Sequence, residues 1–282
     1  MDIFFSSSLH HEIRIMNNQP IGIFDSGLGG LSVWREVIKL LPAENIIYLA
    51  DSGNCPYGGK SDEQIKHLVF RCVRFLLSHR CKLIVVACNT ATAAAIDDLR
   101  LTFKLPFVGM EPAVKPAALN SQTGHVGILA TQGTFNGRLF KETSQKFATN
   151  IELHIQVGFG LVELVEKALT QSEEAHQLLE AYITPMLEKN IDHLVLGCTH
   201  YPFLINRIKE ITGDNMVILD PSPAVARRTA DLIESLKLDS KRSEKNVDYH
   251  FYTTGNIEVM KQFIKNQLNF DSIPEKADLS IF

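Results

Sequence analysis

The sequence predicts an α/β fold: two pseudo-symmetric, doubly wound parallel-sheet domains with the functional site in the cleft between them. Three observations carry this. Short apolar runs alternate with helical patterns along the chain, as parallel βαβ units require. Two of those runs end on a cysteine followed at once by polar residues, Val85-Val86-Ala87-Cys88-Asn89-Thr90 and Val195-Leu196-Gly197-Cys198-Thr199-His200. The halves also rhyme, with residues 21–26 matching 126–131 and 85–90 matching 195–200, at offsets of 105 and 110 residues.

In chain order, residues 20–24 read as a buried strand ending in the turn Asp25-Ser26-Gly27-Leu28-Gly29-Gly30, and a helix follows over 32–41. Strand, glycine-rich turn and helix N-terminus form an anion-binding corner, though the glycine spacing is not a dinucleotide fingerprint. The run 45–50 is the next strand, ending at Asp51. The following Gly59-Lys60-Ser61 resembles the tail of a P-loop, but Asn54 stands where the first glycine is needed, which argues against a nucleotide cradle. A helix with Ile65, Leu68, Val69, Cys72 and Leu76 on one side leads to the Cys88 strand. Helix 92–103 and strand 107–110 complete the first half.

The order then restarts with strand 125–130, a polar turn and helix 136–147. Strand 151–157, helices 161–169 and 173–189, and the Cys198 strand follow. Strand 216–220, helix 223–236, a charged loop over 238–246, a strand at 250–255 and a helix at 258–268 close the chain. The expected domains are 20–115 with 223–282, carrying Cys88, and 116–222, carrying Cys198. Residues 1–19 lack a basic region ahead of a continuous apolar core, which argues against a signal peptide, and are expected to be a poorly ordered extension.

Composition narrows the function. The 282 residues are 45% hydrophobic and 21% charged, with a net charge of −4. That argues against a nucleic-acid partner, which needs a clustered basic surface. No apolar run approaches the roughly 18 residues of a membrane span. The five cysteines, odd in number and without CxxC spacing, fit a reducing cytoplasm. Neither a metal site nor a pyridoxal or flavin cofactor is expected, because no His/Cys/carboxylate set has ligand spacing along the chain.

Cys88 and Cys198 carry the chemistry. One such cysteine is an ordinary strand-end filler, but two in equivalent positions, each ahead of an expected helix start, suggest paired thiols. Two similar groups on opposite faces of a carbon suit proton removal and return at a stereocentre. Single-thiol nucleophilic catalysis needs only one of them. Asp25 reads either as a helix cap or as carboxylate support, His200 as a core histidine or as a tuner of Cys198, and Glu166 as a solvated helix face. Ser26, Tyr57, Asn89, Thr90 and Thr199 supply donors suited to a small zwitterion, and turn chemistry explains Ser26 and Tyr57 equally well. Cys55, Cys72 and Cys81 are left as structural residues.

The sequence resembles the cofactor-independent aspartate/glutamate racemase superfamily, glutamate racemases in particular. The motifs are Phe24-Asp25-Ser26-Gly27-Leu28-Gly29-Gly30, Asp51 with Pro56-Tyr57-Gly58, Ala87-Cys88-Asn89-Thr90-Ala91-Thr92, Glu111-Pro112 and Leu196-Gly197-Cys198-Thr199-His200-Tyr201-Pro202. Asp220-Pro221 and Tyr252-Thr253-Thr254-Gly255 match more faintly. The resemblance implies interconversion of L- and D-glutamate for peptidoglycan, with Cys88 and Cys198 as the acid/base thiols and Asp25, Glu166 and His200 as their ionisable support. It implies substrate binding by Asp25, Ser26, Tyr57, Gly58, Asn89, Thr90, Thr199 and His200. It also implies a cytoplasmic homodimer and a peptidoglycan-precursor effector. The chain departs from the pattern at Gly158-Phe159, at Ser222 after Asp220-Pro221, and at Ala130-Thr131-Gln132. The rival readings are an aspartate or other small-acid racemase, a single-cysteine hydrolase or amidase, and a non-catalytic regulator on the same scaffold.

Overall fold

The apolar runs pair into two all-parallel sheets. The computed structural model describes residues 17–147, 151–240 and 246–282. In the first sheet β1 (Ile21–Asp25), β2 (Ile46–Ala50), β3 (Leu83–Val86) and β4 (Phe107–Gly109) lie in the order β2-β1-β3-β4. In the second, β5 (His125–Ala130), β6 (Glu152–Val157), β7 (His193–Gly197) and β8 (Val217–Leu219) lie in the order β6-β5-β7-β8. The two orders are the same, and so is the register. Ile21 pairs with Leu83 and Val126 with His193, positions related by the two offsets read from the sequence. Two further strands, β9 (Tyr249–Thr253) and the unforeseen β10 (Glu275–Lys276), extend the first sheet beyond β2.

β1 and β3 are wholly buried, which is why their sequences are unbroken apolar runs rather than alternating ones. Helices α1 (Leu31–Leu40), α2 (Asp62–Ser78) and α3 (Asn89–Thr102) follow the strands, α2 starting on a Ser61/Gln64 capping box. Trp34 of α1 meets Tyr249, Phe251 and Phe270 edge-on at 5.2–5.5 Å, so the returning C-terminal segment docks on the first helix.

Several boundaries differ from the expectation. α3 begins at Asn89, three residues early, because Cys88 itself is its N-cap. α4 (Val114–Asn120) was not foreseen. The helix expected over 136–147 is two pieces, α5 (Gln132–Asn136) and α6 (Arg138–Phe147), parted at Gly137. Gly137 has an extended ψ of 144° that interrupts the helical ladder. α7 (Leu161–Glu166) stops three residues short, and Ala168 just beyond has a positive φ. α8 (Glu173–Leu187), α9 (Ile205–Thr212), α10 (Ser222–Ser235) and α11 (Ile257–Leu268) complete the chain.

The charged loop over 238–246 is not exposed at its start. Leu238 is buried, and its carbonyl accepts from Lys82 Nζ at 2.6 Å. Lys82 Nζ also donates to Glu44 Oε2 at 2.5 Å and to the Asn17 carbonyl at 2.6 Å. Residues 17–19 are therefore tied to the body, while residues 1–16 and 241–245 lie outside the described residues. Among the described residues no helix is long and apolar enough to cross a membrane.

Candidate active site

Both cysteine turns lie at the carboxyl ends of equivalent strands, and both line one small cleft with Ser26, Tyr57, Asn89, Thr90, Thr131 and His200. The room left in it is ≈ 20 Å³, about that of one water molecule. A wider mouth of ≈ 250 Å³ lies beyond, and Pro56, Gly58, Thr131 and Val162 line both spaces. Thr90 and Thr131, one from each half, meet at 2.9 Å across this rim.

The two thiols are held differently. Cys88 accepts the Ala91 N–H at 3.4 Å and donates to Ser26 Oγ at 3.6 Å. Burial and the Asp25 carboxylate push its thiol up to about 12, against the pull of those two contacts, so Cys88 rests as a protonated thiol. Cys198 does not cap an α-helix, contrary to the expectation, because a 3-10 turn over Tyr201–Leu204 separates it from α9. Its partner is His200, whose Nδ1 lies 3.7 Å from Cys198 Sγ.

Glu166 reads by itself as a solvated helix residue, and only the resemblance makes it support for the thiols. It ends α7 and aims inward instead, its Oε1 2.7 Å from His200 Nε2. The Leu28 N–H donates to the same oxygen at 2.5 Å, and Ser52 Oγ donates to Oε2 at 3.2 Å. The 2.7 Å contact assigns the Nε2 proton to Glu166, which makes the 3.3 Å approach of the Gly29 N–H a packing contact. Burial would lower the His200 pKa, but hydrogen bonds to Cys198, Cys55 and Glu166 outweigh it and hold the ring well above its ordinary value. The resulting imidazolium puts positive charge where a Cys198 thiolate would carry negative charge.

Asp25 is fully buried at the end of β1. It accepts the Gly27 N–H at 2.7 Å and the Thr199 hydroxyl at 2.8 Å, so one carboxylate joins the glycine turn of one half to the cysteine turn of the other. Burial pushes it up to about 6, opposed by His200 and by both donors. Tyr57 is buried and donates to Asp51 Oδ2 at 2.7 Å, so its hydroxyl is committed to the wall. Asn89 differs, because both polar atoms of its buried side chain lack a hydrogen-bond partner. An amide left unpaired in a cleft wall is costly unless a ligand satisfies it.

Two residues passed over in the sequence belong here. Cys55, read as structural, is partly buried beside His200 and Glu166, with donor atoms of the three within 4.8 Å of one another. His125, Glu152 and His154 form a second such set on β5 and β6. Neither grouping shows as ligand spacing along the chain, because strands and turns far apart in sequence bring the residues together. Thr131 was seen only as turn chemistry, and no linear pattern signals that it closes the rim against Thr90.

A family model described as Asp/Glu/Hydantoin racemase matches residues 21–229. The chain belongs to that family. Curated racemase relatives include the glutamate racemase of Roseiflexus sp. (strain RS-1), 47% identical over 77% of this chain and 80% of its own length. That of Ectopseudomonas mendocina is 40% identical over 93% and 98%. Among solved racemases, an isoform from Bacillus anthracis superposes with a TM-score of 0.83 at 30% identity, covering 93% of this chain and 98% of the other. The Escherichia coli glutamate racemase, solved with L-glutamate and the activator UDP-MurNAc-Ala, gives 0.81 at 33% identity over 92% and 98%.

Proposed function

We propose that this racemase interconverts L- and D-glutamate by two-thiol proton transfer at Cα. The observation that carries it is the pair of buried thiols at equivalent strand ends facing one cleft, with different electrostatic surroundings. Cys198, beside the His200 imidazolium, takes the Cα proton of L-glutamate as a thiolate. The electron pair left on Cα is delocalised into the substrate carboxylate, and the Cys88 thiol returns a proton to the opposite face. The protein then holds a thiol at Cys198 and a thiolate at Cys88, the state the reverse reaction needs. Asp25, Glu166 and His200 support the thiols. Asn89, with its unpaired amide, binds substrate together with Ser26, Tyr57, Gly58, Thr90 and Thr199.

Glutamate is favoured over aspartate by the names of five relatives at 40–49% identity, each a glutamate racemase. The reading includes D-glutamate supply for peptidoglycan, a cytoplasmic homodimer, and two domains over 20–115 with 223–282 and over 116–222. Activation by a peptidoglycan precursor is carried from the Escherichia coli complex. The deciding assay follows D-isomer formation from L-glutamate and L-aspartate, with and without UDP-MurNAc-Ala. Turnover of glutamate alone is expected, and aspartate turnover at a comparable rate overturns the substrate assignment.

A further inference from the structure

We propose that Cys55, Glu166 and His200 form a binding site for a zinc-class divalent cation, and that the bound ion arrests racemisation by taking His200 and Glu166 from Cys198. The inhibitory half rests on the function proposed above; the site itself does not.

A thiolate sulfur, an imidazole nitrogen and a carboxylate oxygen are the ligand types zinc prefers, each about 2.0–2.3 Å from the ion. Here one atom of each kind already lies within 4.8 Å of the others, and His200 Nε2 and Glu166 Oε1 are 2.7 Å apart. Tetrahedral ligation at those bond lengths needs the 2.7 Å His200–Glu166 pair to part to about 3.4 Å.

The floor of the site is built to admit donor atoms and little else. A Cβ at Gly27 would stand 2.1 Å from Glu166 Oε1 and 3.1 Å from Cys55 Sγ, so only glycine lets these two atoms share this corner. The charges also balance. The thiolate and carboxylate together neutralise a dication, and a neutral assembly suits a site whose histidine is buried. On binding, the Cys55 thiol proton and the His200 Nε2 proton leave to solvent, while Glu166 keeps its donors from Leu28 and Ser52. Glu166 also lines a surface groove with Lys167, Ala168, Asn256 and Glu258, so one of the three ligands faces a space outside the cleft.

The test is a cobalt titration of the reduced full chain, free of oxygen, with zinc as competitor. A thiolate-to-cobalt charge-transfer band in the near ultraviolet is expected at one equivalent, abolished by zinc. The His125–Glu152–His154 set has no thiol and yields no such band. Cys55→Ala should weaken the banded site by at least about tenfold, and Cys88→Ala should leave it. In buffered zinc, the concentration halving racemisation should rise by the same factor in Cys55→Ala, each rate taken relative to that variant without zinc. Cys55→Ser and a circular-dichroism comparison separate ligand loss from misfolding. The proposal is overturned if the band survives in Cys55→Ala at undiminished affinity, if Cys88→Ala removes it, or if zinc occupies the site without slowing turnover. A metal-free enzyme inert on glutamate contradicts the proposed function instead and leaves the spectroscopic result to stand.

Discussion

At the scale of single residues, burial decides the protonation states that the chemistry uses. Asp25 is the clearest case. Its carboxyl sits at about 6 in the folded chain against an ordinary value of 3.8, so the native state binds more protons than the unfolded state between those values. Stability therefore falls as pH rises through this window, by about 3 kcal/mol for two pH units of displacement. Asp25→Asn should flatten that part of the stability profile, measured by urea unfolding between pH 4 and about 6.5. An unchanged slope would show that Asp25 is ionised throughout. Little of this was legible in the sequence. Asp25 and His200 stood out as neighbours of the turns, but Glu166 lies 34 residues before His200 and carries no mark of meeting it. Cys55 was hidden for the same reason, since closeness across a fold leaves no spacing to read.

At the scale of elements, the glycine turn after β1 acts as a mould for the His200 imidazole. A Cβ at Gly29 would lie 2.4 Å from His200 Nδ1, the atom that faces Cys198. Gly29→Ala should therefore displace the ring and lower kcat/KM by about 10²-fold, the cost of a misplacement near 1 Å, with far-UV circular dichroism unchanged. Activity within twofold of the parent would show that the ring has room to spare. The turn itself was legible because strand, glycine cluster and helix follow one another in a fixed order. The different supports of the two thiols were not. Both cysteines end an apolar strand and precede a polar run, yet Asn89 enters a helix at once and Thr199 does not, a difference set by the Tyr201-Pro202 start of a 3-10 turn.

At the scale of the whole molecule, the repeated strand order was legible from the offsets between halves, because register in parallel sheets follows the apolar runs. The clasp between halves was not, since it depends on side chains meeting across the cleft, as Thr90 and Thr131 do. The cleft that both thiols line leaves ≈ 20 Å³, less than an amino acid occupies, and the Thr90–Thr131 contact stands at its rim. Away from the cleft, Lys82 pins residue 17 and residue 238 to the first sheet. Removing it leaves Glu44 buried without its cation, so Lys82→Ala should cost about 3–5 kcal/mol in chemical unfolding while kcat of the folded protein is kept. A loss below 1 kcal/mol would mean that water or another donor replaces the ammonium.

The two-thiol mechanism meets its most direct test in deuterium oxide. Separate samples of L- and D-glutamate are incubated with the parent, Cys88→Ala and Cys198→Ala, and the isomer and its Cα deuterium content are followed by mass spectrometry on chiral separation. In the parent, early product of either hand should carry deuterium at Cα while the remaining substrate keeps protium, because different thiols remove and return the proton. Each alanine variant should lose racemisation by about 10²–10⁴-fold with its fold intact. Full racemisation by either variant, or deuterium appearing equally in substrate and product from the first turnovers, would contradict the account.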